Sequence, residues 1–178
     1  MPSALWPGAF FVDLCGDMIC INGSVTRSCC PGLAREDREH KGVSISMTTE
    51  QKTAYEIIGE KMAVDALVHR FYDVMDSNPA YAALRGMHAQ DLGPVRDSFA
   101  GFLCGWLGGP RDWLVAQGGF CVMSRHADMG ITKVTAGQWL SAMREAMDEL
   151  VADTALYAKL DDAFTRLTQA MSATDKAS

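Results

Sequence analysis

No stretch of this 178-residue chain approaches the roughly 20 uninterrupted apolar residues that a membrane-spanning helix requires. The N-terminus also lacks the positive start and small-residue cleavage pattern of a signal peptide, so a cytoplasmic protein is the expectation. Positive charge is scarce. Sixteen Lys plus Arg stand against 22 Asp plus Glu, a net charge of -6 with no basic run, which removes the electrostatic footprint of a nucleic-acid binder. Alternating runs of β-branched residues are missing, so strands have no support. The glycines form no G-x-G-x-x-G after a strand, which leaves no flavin or nicotinamide motif. What is present, 48% hydrophobic and 21% charged residues, suits one soluble globular domain.

The cysteines divide the chain. Cys15, Cys20, Cys29 and Cys30 crowd the start, and only Cys104 and Cys121 follow. A four-residue gap and a vicinal pair fit structural zinc spacing poorly, so incidental composition is the reading for the first four. Residues 1–46 also hold Pro2, Pro7, Pro31, Gly8, Gly16, Gly23, Gly32 and Gly42, without a sustained apolar period. This segment is expected to be a disordered extension or an upstream translation, with the true start at Met47 and one domain over 47–178. Thr48 or Thr49 is the expected first helix cap.

From there the apolar spacing is helical. Met62, Val64, Leu67, Val68, Phe71, Tyr72 and Met75 form one face, stopped by Asp76, Ser77, Asn78 and Pro79. Val95, Phe99, Phe102, Leu103, Trp106 and Leu107 form another, opened by Asp91 with Pro94 in the first turn and closed by Gly108, Gly109 and Pro110. A third stripe runs Trp139, Leu140, Met143, Ala146, Met147, Leu150 and Val151, and a fourth Leu156, Leu160, Phe164, Leu167 and Met171. An all-α fold over about 48–174 follows, with a less regular stretch between Pro110 and Thr132.

Within that stretch one histidine, His126, sits among apolar residues on a Gly-rich segment. A neutral imidazole there can ligate a metal through one nitrogen while a backbone carbonyl holds the other, or it can be a packed or surface histidine. The surrounding motifs decide between these. Tyr55-Glu56-Ile57-Ile58-Gly59, Arg70-Phe71-Tyr72 and His88-Ala89-Gln90-Asp91-Leu92 come in order. Phe102-Leu103-Cys104-Gly105-Trp106-Leu107-Gly108-Gly109-Pro110, Ser124-Arg125-His126 and Gln138-Trp139-Leu140-Ser141-Ala142-Met143 follow. In this order and at these separations they resemble the group II truncated haemoglobins, small globins with a two-over-two helical sandwich around haem.

The resemblance implies roles residue by residue. His126 matches the proximal histidine that ligates haem iron. Tyr72 and Trp139 match the pair that donates hydrogen bonds to a diatomic ligand on the opposite, distal side, where a donor in a dry pocket stabilises developing negative charge. The alternative for both is an amphipathic core aromatic whose polar end is capped elsewhere. His88 is either a third polar contact to the ligand or a packing residue near a haem propionate. Val95 takes the place where many globins carry a distal histidine. Phe99 and Phe102 are expected to wall the distal cavity and make it apolar. Arg125 is the candidate propionate partner, with Arg111 and Trp113 in the loop near the haem edge. Met129 stands where the family has phenylalanine and, with Ile131, is expected to line the pocket. Gly118-Gly119-Phe120 and Met123 replace the family's usual Gly-His-Pro and arginine before the proximal histidine.

Haem b without a covalent link is therefore the expected cofactor, since neither Cys104 nor Cys121 has a C-x-x-C partner; both are expected to be small buried residues. Dioxygen, nitric oxide and carbon monoxide are the expected ligands. Two donors on one ligand slow its release, so oxygen or nitric oxide chemistry or sensing is favoured over bulk transport by an oxygen carrier. Nitric oxide dioxygenase or peroxidase-like activity stays open, with any reductase a separate protein. The assembly state, a homodimer included, is also open. A haem-free globin-like interaction or sensor domain is the alternative.

Overall fold

In the computed structural model, residues 52–118 and 121–172 are described. The extension expected over residues 1–46, the start at Met47 and the caps at Thr48 or Thr49 lie outside them, as do Gly119 and Phe120. Among the described residues all regular secondary structure is helical, as expected.

The first helix, α1 (Ala54–Ile58), is capped by Thr53. The Glu56 backbone N–H donates to the Thr53 hydroxyl at 3.2 Å, and the Thr53 N–H donates to the Glu56 carboxylate at 2.7 Å, a reciprocal capping box. Gly59, at φ +108°, lets the chain turn through the left-handed region into α2 (Glu60–Ser77). Asn78 ends α2; its side-chain oxygen accepts from the Ala80 N–H at 3.0 Å and Pro79 opens a single 3-10 turn that leads into α3 (Ala82–Arg85). Asp91 then makes an Asx turn, accepting from the Gly93 N–H at 2.9 Å, so the cap position of α4 (Gly93–Trp106) falls on Leu92 rather than on Asp91 itself.

The stretch between Pro110 and Thr132 is more ordered than its composition implies. It holds two one-turn helices, α5 (Asp112–Ala116) and α6 (Val122–His126), which are too short to show an apolar period. Thr132 and Thr135 form a second capping box at the head of α7 (Lys133–Leu150), and the Asp153 carboxylate accepts from the Leu156 N–H at 2.7 Å at the start of α8 (Thr154–Ser172).

Helices α2 and α4 pack together, α7 and α8 pack together, and α2 crosses α7 between the pairs, giving the two-over-two arrangement. Val64, Leu67, Val68, Phe71, Met75, Leu103, Met143, Met147, Leu160 and Phe164 are fully buried at this crossing. Each contributes about 1.5–3 kcal/mol of transfer free energy, so the apolar stripes hold the sandwich closed. Two expected members of those stripes lie outside it. Met62 is 85% exposed because, two residues before the buried Val64, it lies on the opposite face of α2, and Leu150 is 41% exposed at the last position of α7. Cys104 is buried, as expected, and burial pushes its thiol pKa up; Cys121 is only half-buried.

Polar ties set the angles of the connecting pieces. The Gln138 amide on α7 accepts from the Leu84 N–H at 2.8 Å and donates to the Ala80 carbonyl at 2.8 Å, which fixes the 3-10 turn and α3 against α7. Arg85 donates to the carbonyls of Ala89 and Gln90 at 2.9 and 3.1 Å and to Asp76 at 2.6 Å, wrapping the loop that carries His88 around its guanidinium. Glycines allow α5 to lie directly on α4. A Cβ on Gly101 would sit 2.5 Å from Trp113 Cγ, and one on Gly105 would sit 2.4 Å from Leu114 Cδ1.

Candidate functional site

Tyr72 lies one turn before the end of α2 with its ring buried at 4% exposure. Four side chains surround that ring. Phe71 meets it edge-on at 4.8 Å between centroids, His88 at 5.8 Å and Phe99 of α4 at 6.4 Å, while the Arg96 guanidinium lies over it at 5.6 Å. Trp139 of α7 joins the same group through Phe71 at 5.3 Å and Phe99 at 6.1 Å, and rests on Phe164 of α8 at 5.3 Å. Helices α2, α4, α7 and α8 thus each contribute a ring to one aromatic cluster, in the edge-to-face and tilted geometries that ring quadrupoles favour. Phe102 is buried one turn beyond Phe99 and stacks on Trp106 at 6.2 Å, while Val95 is half-buried one turn before it.

Neither the Tyr72 hydroxyl nor the Trp139 indole N–H takes part in a side-chain hydrogen bond with another described residue, and neither is a fully enclosed orphan, so both donors stay open to a small molecule. Burial pushes the Tyr72 pKa well above the ordinary phenol value, with the Arg96 charge opposing the shift, so the group stays a protonated donor at neutral pH. Two donors in an aromatic cluster without an internal acceptor leave hydrogen-bonding capacity for something that enters it.

His88 and His126 share one local geometry. His88 Nδ1 lies 2.9 Å from the Leu84 carbonyl, and His126 Nδ1 lies 2.7 Å from the Val122 carbonyl, each four residues back along the chain. A carbonyl oxygen only accepts, so Nδ1 carries the proton in both rings and Nε2 of each neutral ring holds a lone pair. For His88 this means that the neutral ring accepts a hydrogen bond at Nε2 and does not donate one. For His126 it means a fixed ring with a basic nitrogen turned to the outside of the bond, the arrangement a metal-ligating histidine uses.

His126 is half-buried at the C-terminus of α6, in which Val122 is the buried residue. Arg125 is exposed beside it. Met129 is 55% exposed and Val134 63% exposed, with Ile131 half-buried between them, so apolar surface lies open along the connection from α6 to α7. Of these, Val134 also lines a cleft of about 780 Å³ between α7 and α8, together with Ala136, Leu140, Lys133, Thr168 and Gln169. Trp113 lies over Gly101 and so braces α5, and through it the approach to α6, against α4. Arg111 is exposed.

These features fit a haem group. A neutral imidazole with Nδ1 held offers an axial nitrogen, open apolar side chains offer cover for a flat macrocycle, and two unpaired donors suit a polar ligand. Among the described residues no cluster of three or more His, Cys, Asp or Glu exists that would hold a bare metal ion instead.

Three contributors were not evident from spacing. Phe71 and Phe164 read as ordinary core positions, yet they bridge Trp139 to its neighbours. Arg96 reaches residues 23 and 27 positions earlier, a separation that leaves no local pattern.

The chain is similar to proteins of known family and structure. A family profile described as bacterial-like globin matches residues 53–173. The group 2 truncated hemoglobin YjbI of Bacillus subtilis (strain 168) is 34% identical over 96 residues, covering 54% of this chain and 70% of that protein. Among solved structures, the group II 2-on-2 hemoglobin from Agrobacterium tumefaciens superposes with a TM-score of 0.67 at 34% identity, covering 70% of this chain and 97% of that one. The cold-adapted truncated hemoglobin from Pseudoalteromonas haloplanktis TAC125 superposes with a TM-score of 0.66 at 33% identity, covering 67% and 97%.

Proposed function

The chain belongs to the bacterial-like globins, among the group II truncated haemoglobins, and from that premise we propose that it holds non-covalent haem b at His126 and offers Tyr72 and Trp139 as donors to a diatomic ligand. The observation that supports the assignment is the 2.7 Å hydrogen bond from His126 Nδ1 to the Val122 carbonyl, which leaves the other ring nitrogen with a lone pair available for ligation. Haem, when bound, supplies an iron centre that takes dioxygen, nitric oxide or carbon monoxide.

The protein's own part is binding, orientation and electrostatics. The pinned Nδ1–H raises the basicity of His126 Nε2 and keeps the ring from rotating. Val95 and Phe99 make the surroundings of Tyr72 and Trp139 apolar, which strengthens a hydrogen bond from either of them relative to one in open water. Each such bond contributes about 0.5–1.5 kcal/mol net, and two together slow ligand release by roughly one to two orders of magnitude. Slow release suits oxygen or nitric oxide chemistry, or sensing, better than delivery. The chain carries no nicotinamide or flavin motif, so turnover would draw electrons from a separate reductase.

The test is absorption spectroscopy of the haem-reconstituted protein beside His126→Ala. The wild-type chain is expected to give a strong Soret band, and the variant is expected to lose the axial nitrogen signature and recover it with added imidazole. A wild-type protein without a Soret band supports the haem-free interaction domain instead, and an unchanged spectrum in His126→Ala removes His126 as the ligand.

A further inference from the structure

Arg96 follows Val95 on α4, and its side chain reaches across to three residues of α2. One guanidinium nitrogen donates to the Asp73 carboxylate at 2.7 Å. The other terminal nitrogen donates to the His69 carbonyl at 3.0 Å and lies 3.1 Å from His69 Nδ1. A guanidinium has donors only, so the His69 ring nitrogen accepts in this arrangement. The side chain is only 17% exposed although it is charged. Its central carbon lies 5.6 Å from the centre of the Tyr72 ring, within the range where a cation is attracted by the ring quadrupole. His69 and Asp73 stand one turn apart on α2 with Tyr72 just before Asp73, so the planar fork is anchored on either side of the ring it covers.

We propose that Arg96 is a positioning residue for Tyr72: its guanidinium holds the phenol ring in place and, through its charge, makes the hydroxyl a stronger hydrogen-bond donor toward the ligand. The inference rests on the haem-binding reading given above and names how that same site is tuned. A positive charge on the face of a phenol draws electron density into the ring and away from the O–H bond, which sharpens the proton as a donor. The same attraction favours the ionised phenol, which is why the Arg96 charge opposes the effect of burial on the Tyr72 pKa. The edge-on rings of Phe71, His88 and Phe99 limit sliding of Tyr72 in other directions, so the guanidinium completes a four-sided clamp. Arg96 itself acts only through Tyr72.

The experiment compares Arg96→Gln and Arg96→Lys in haem-loaded protein, each with Tyr72 and with Tyr72→Phe. Dioxygen release is followed by stopped flow and the carbon monoxide stretch by infrared absorption. With Tyr72 present, Arg96→Gln is expected to speed release about five-fold, the size of one cation–π contact that keeps some solvent exposure, and to move the stretch to higher wavenumber. Arg96→Lys keeps the charge without the fork and is expected to fall between. In the Tyr72→Phe background both substitutions are expected to change neither reading. Unchanged release and stretch in Arg96→Gln overturns the proposal, and so does an equal change in the Tyr72→Phe background, which would place the effect in the fold rather than in Tyr72. If the wild-type chain takes up no haem, the haem reading fails first, and the flip rate of the Tyr72 ring, followed by NMR, tests the positioning role of Arg96 by itself. Arg96→Gln should speed that flip, and an unchanged rate overturns the proposal.

Discussion

Gly101→Ala and Gly137→Ala are one substitution made in two long helices, and the structure assigns them opposite consequences. Replacing a helix-interior glycine by alanine is worth about 0.5–1 kcal/mol in backbone terms alone. At Gly137 on α7 a new Cβ meets no atom within 4 Å, so that gain is expected in full. At Gly101 on α4 the Cβ would stand 2.5, 2.6 and 2.9 Å from Cγ, Cδ1 and Cβ of Trp113. Those atoms are the base of an indole and not the free end of a flexible chain, so relief requires α5 to move. Overpacking of this kind costs about 1–3 kcal/mol. The backbone gain is common to both variants, so their difference isolates the contact between α4 and α5. For a domain of this size it corresponds to a gap of roughly 4–12 °C in Tm. Gly105→Ala should lie between them, since its nearest neighbour, Leu114 Cδ1 at 2.4 Å, ends a rotatable side chain. The functional companion is haem loss to an excess of a scavenging apoglobin, expected to be faster in Gly101→Ala because α5 leads into the segment that carries His126. Equal shifts in Tm for Gly101→Ala and Gly137→Ala would refute the reasoning, because Trp113 would then not be seated on the glycine.

Two further outcomes are expected. Tyr72→Phe and Trp139→Phe should each speed dioxygen release by about 2–13-fold, the equivalent of one net hydrogen bond, as read by ligand-displacement stopped flow; rates equal to wild type would remove that residue as a donor. At alkaline pH, Tyr81 titrates at about 12 in the folded chain against an ordinary value of 10.0, raised by burial and by its hydrogen bond to Glu145. Between those values the folded chain holds more protons than the unfolded one, so stability is fully present below pH 10 and falls as pH rises toward 12. Tyr72, shifted in the same direction, adds to that fall. Urea unfolding across this window should show the decline, shallower in Tyr81→Phe, and a stability that rises with pH there would contradict it.

Much of the architecture was legible without coordinates. Apolar residues three and four apart mark α2, α4, α7 and α8 because a helix that buries one face must repeat chemistry at that spacing. The stops at Asn78-Pro79 and Gly108-Gly109-Pro110 fall where helices end, since proline and left-handed glycine cannot continue them. Periodicity failed at Met62, whose two-residue spacing from Val64 puts it on the opposite face, at Leu150, which ends α7, and at α5 and α6, which are shorter than two periods. The resemblance to truncated globins singled out His126, Tyr72 and Trp139 through the order of short motifs, none of which signals much alone.

The amino-acid sequence by itself determined which residue types are available and on which helical faces they lie, because both follow from neighbours within one or two turns. Tertiary structure decided what those residues meet. Only the packed chain orients the Nδ1–H of His126 and His88 onto carbonyls and so settles which nitrogen each ring leaves open. Only the packed chain brings Phe71, Phe99 and Phe164 around Trp139 and lays Arg96 on Tyr72. These contacts join residues far apart along the chain, and their energies depend on distance in space, which no local spacing encodes.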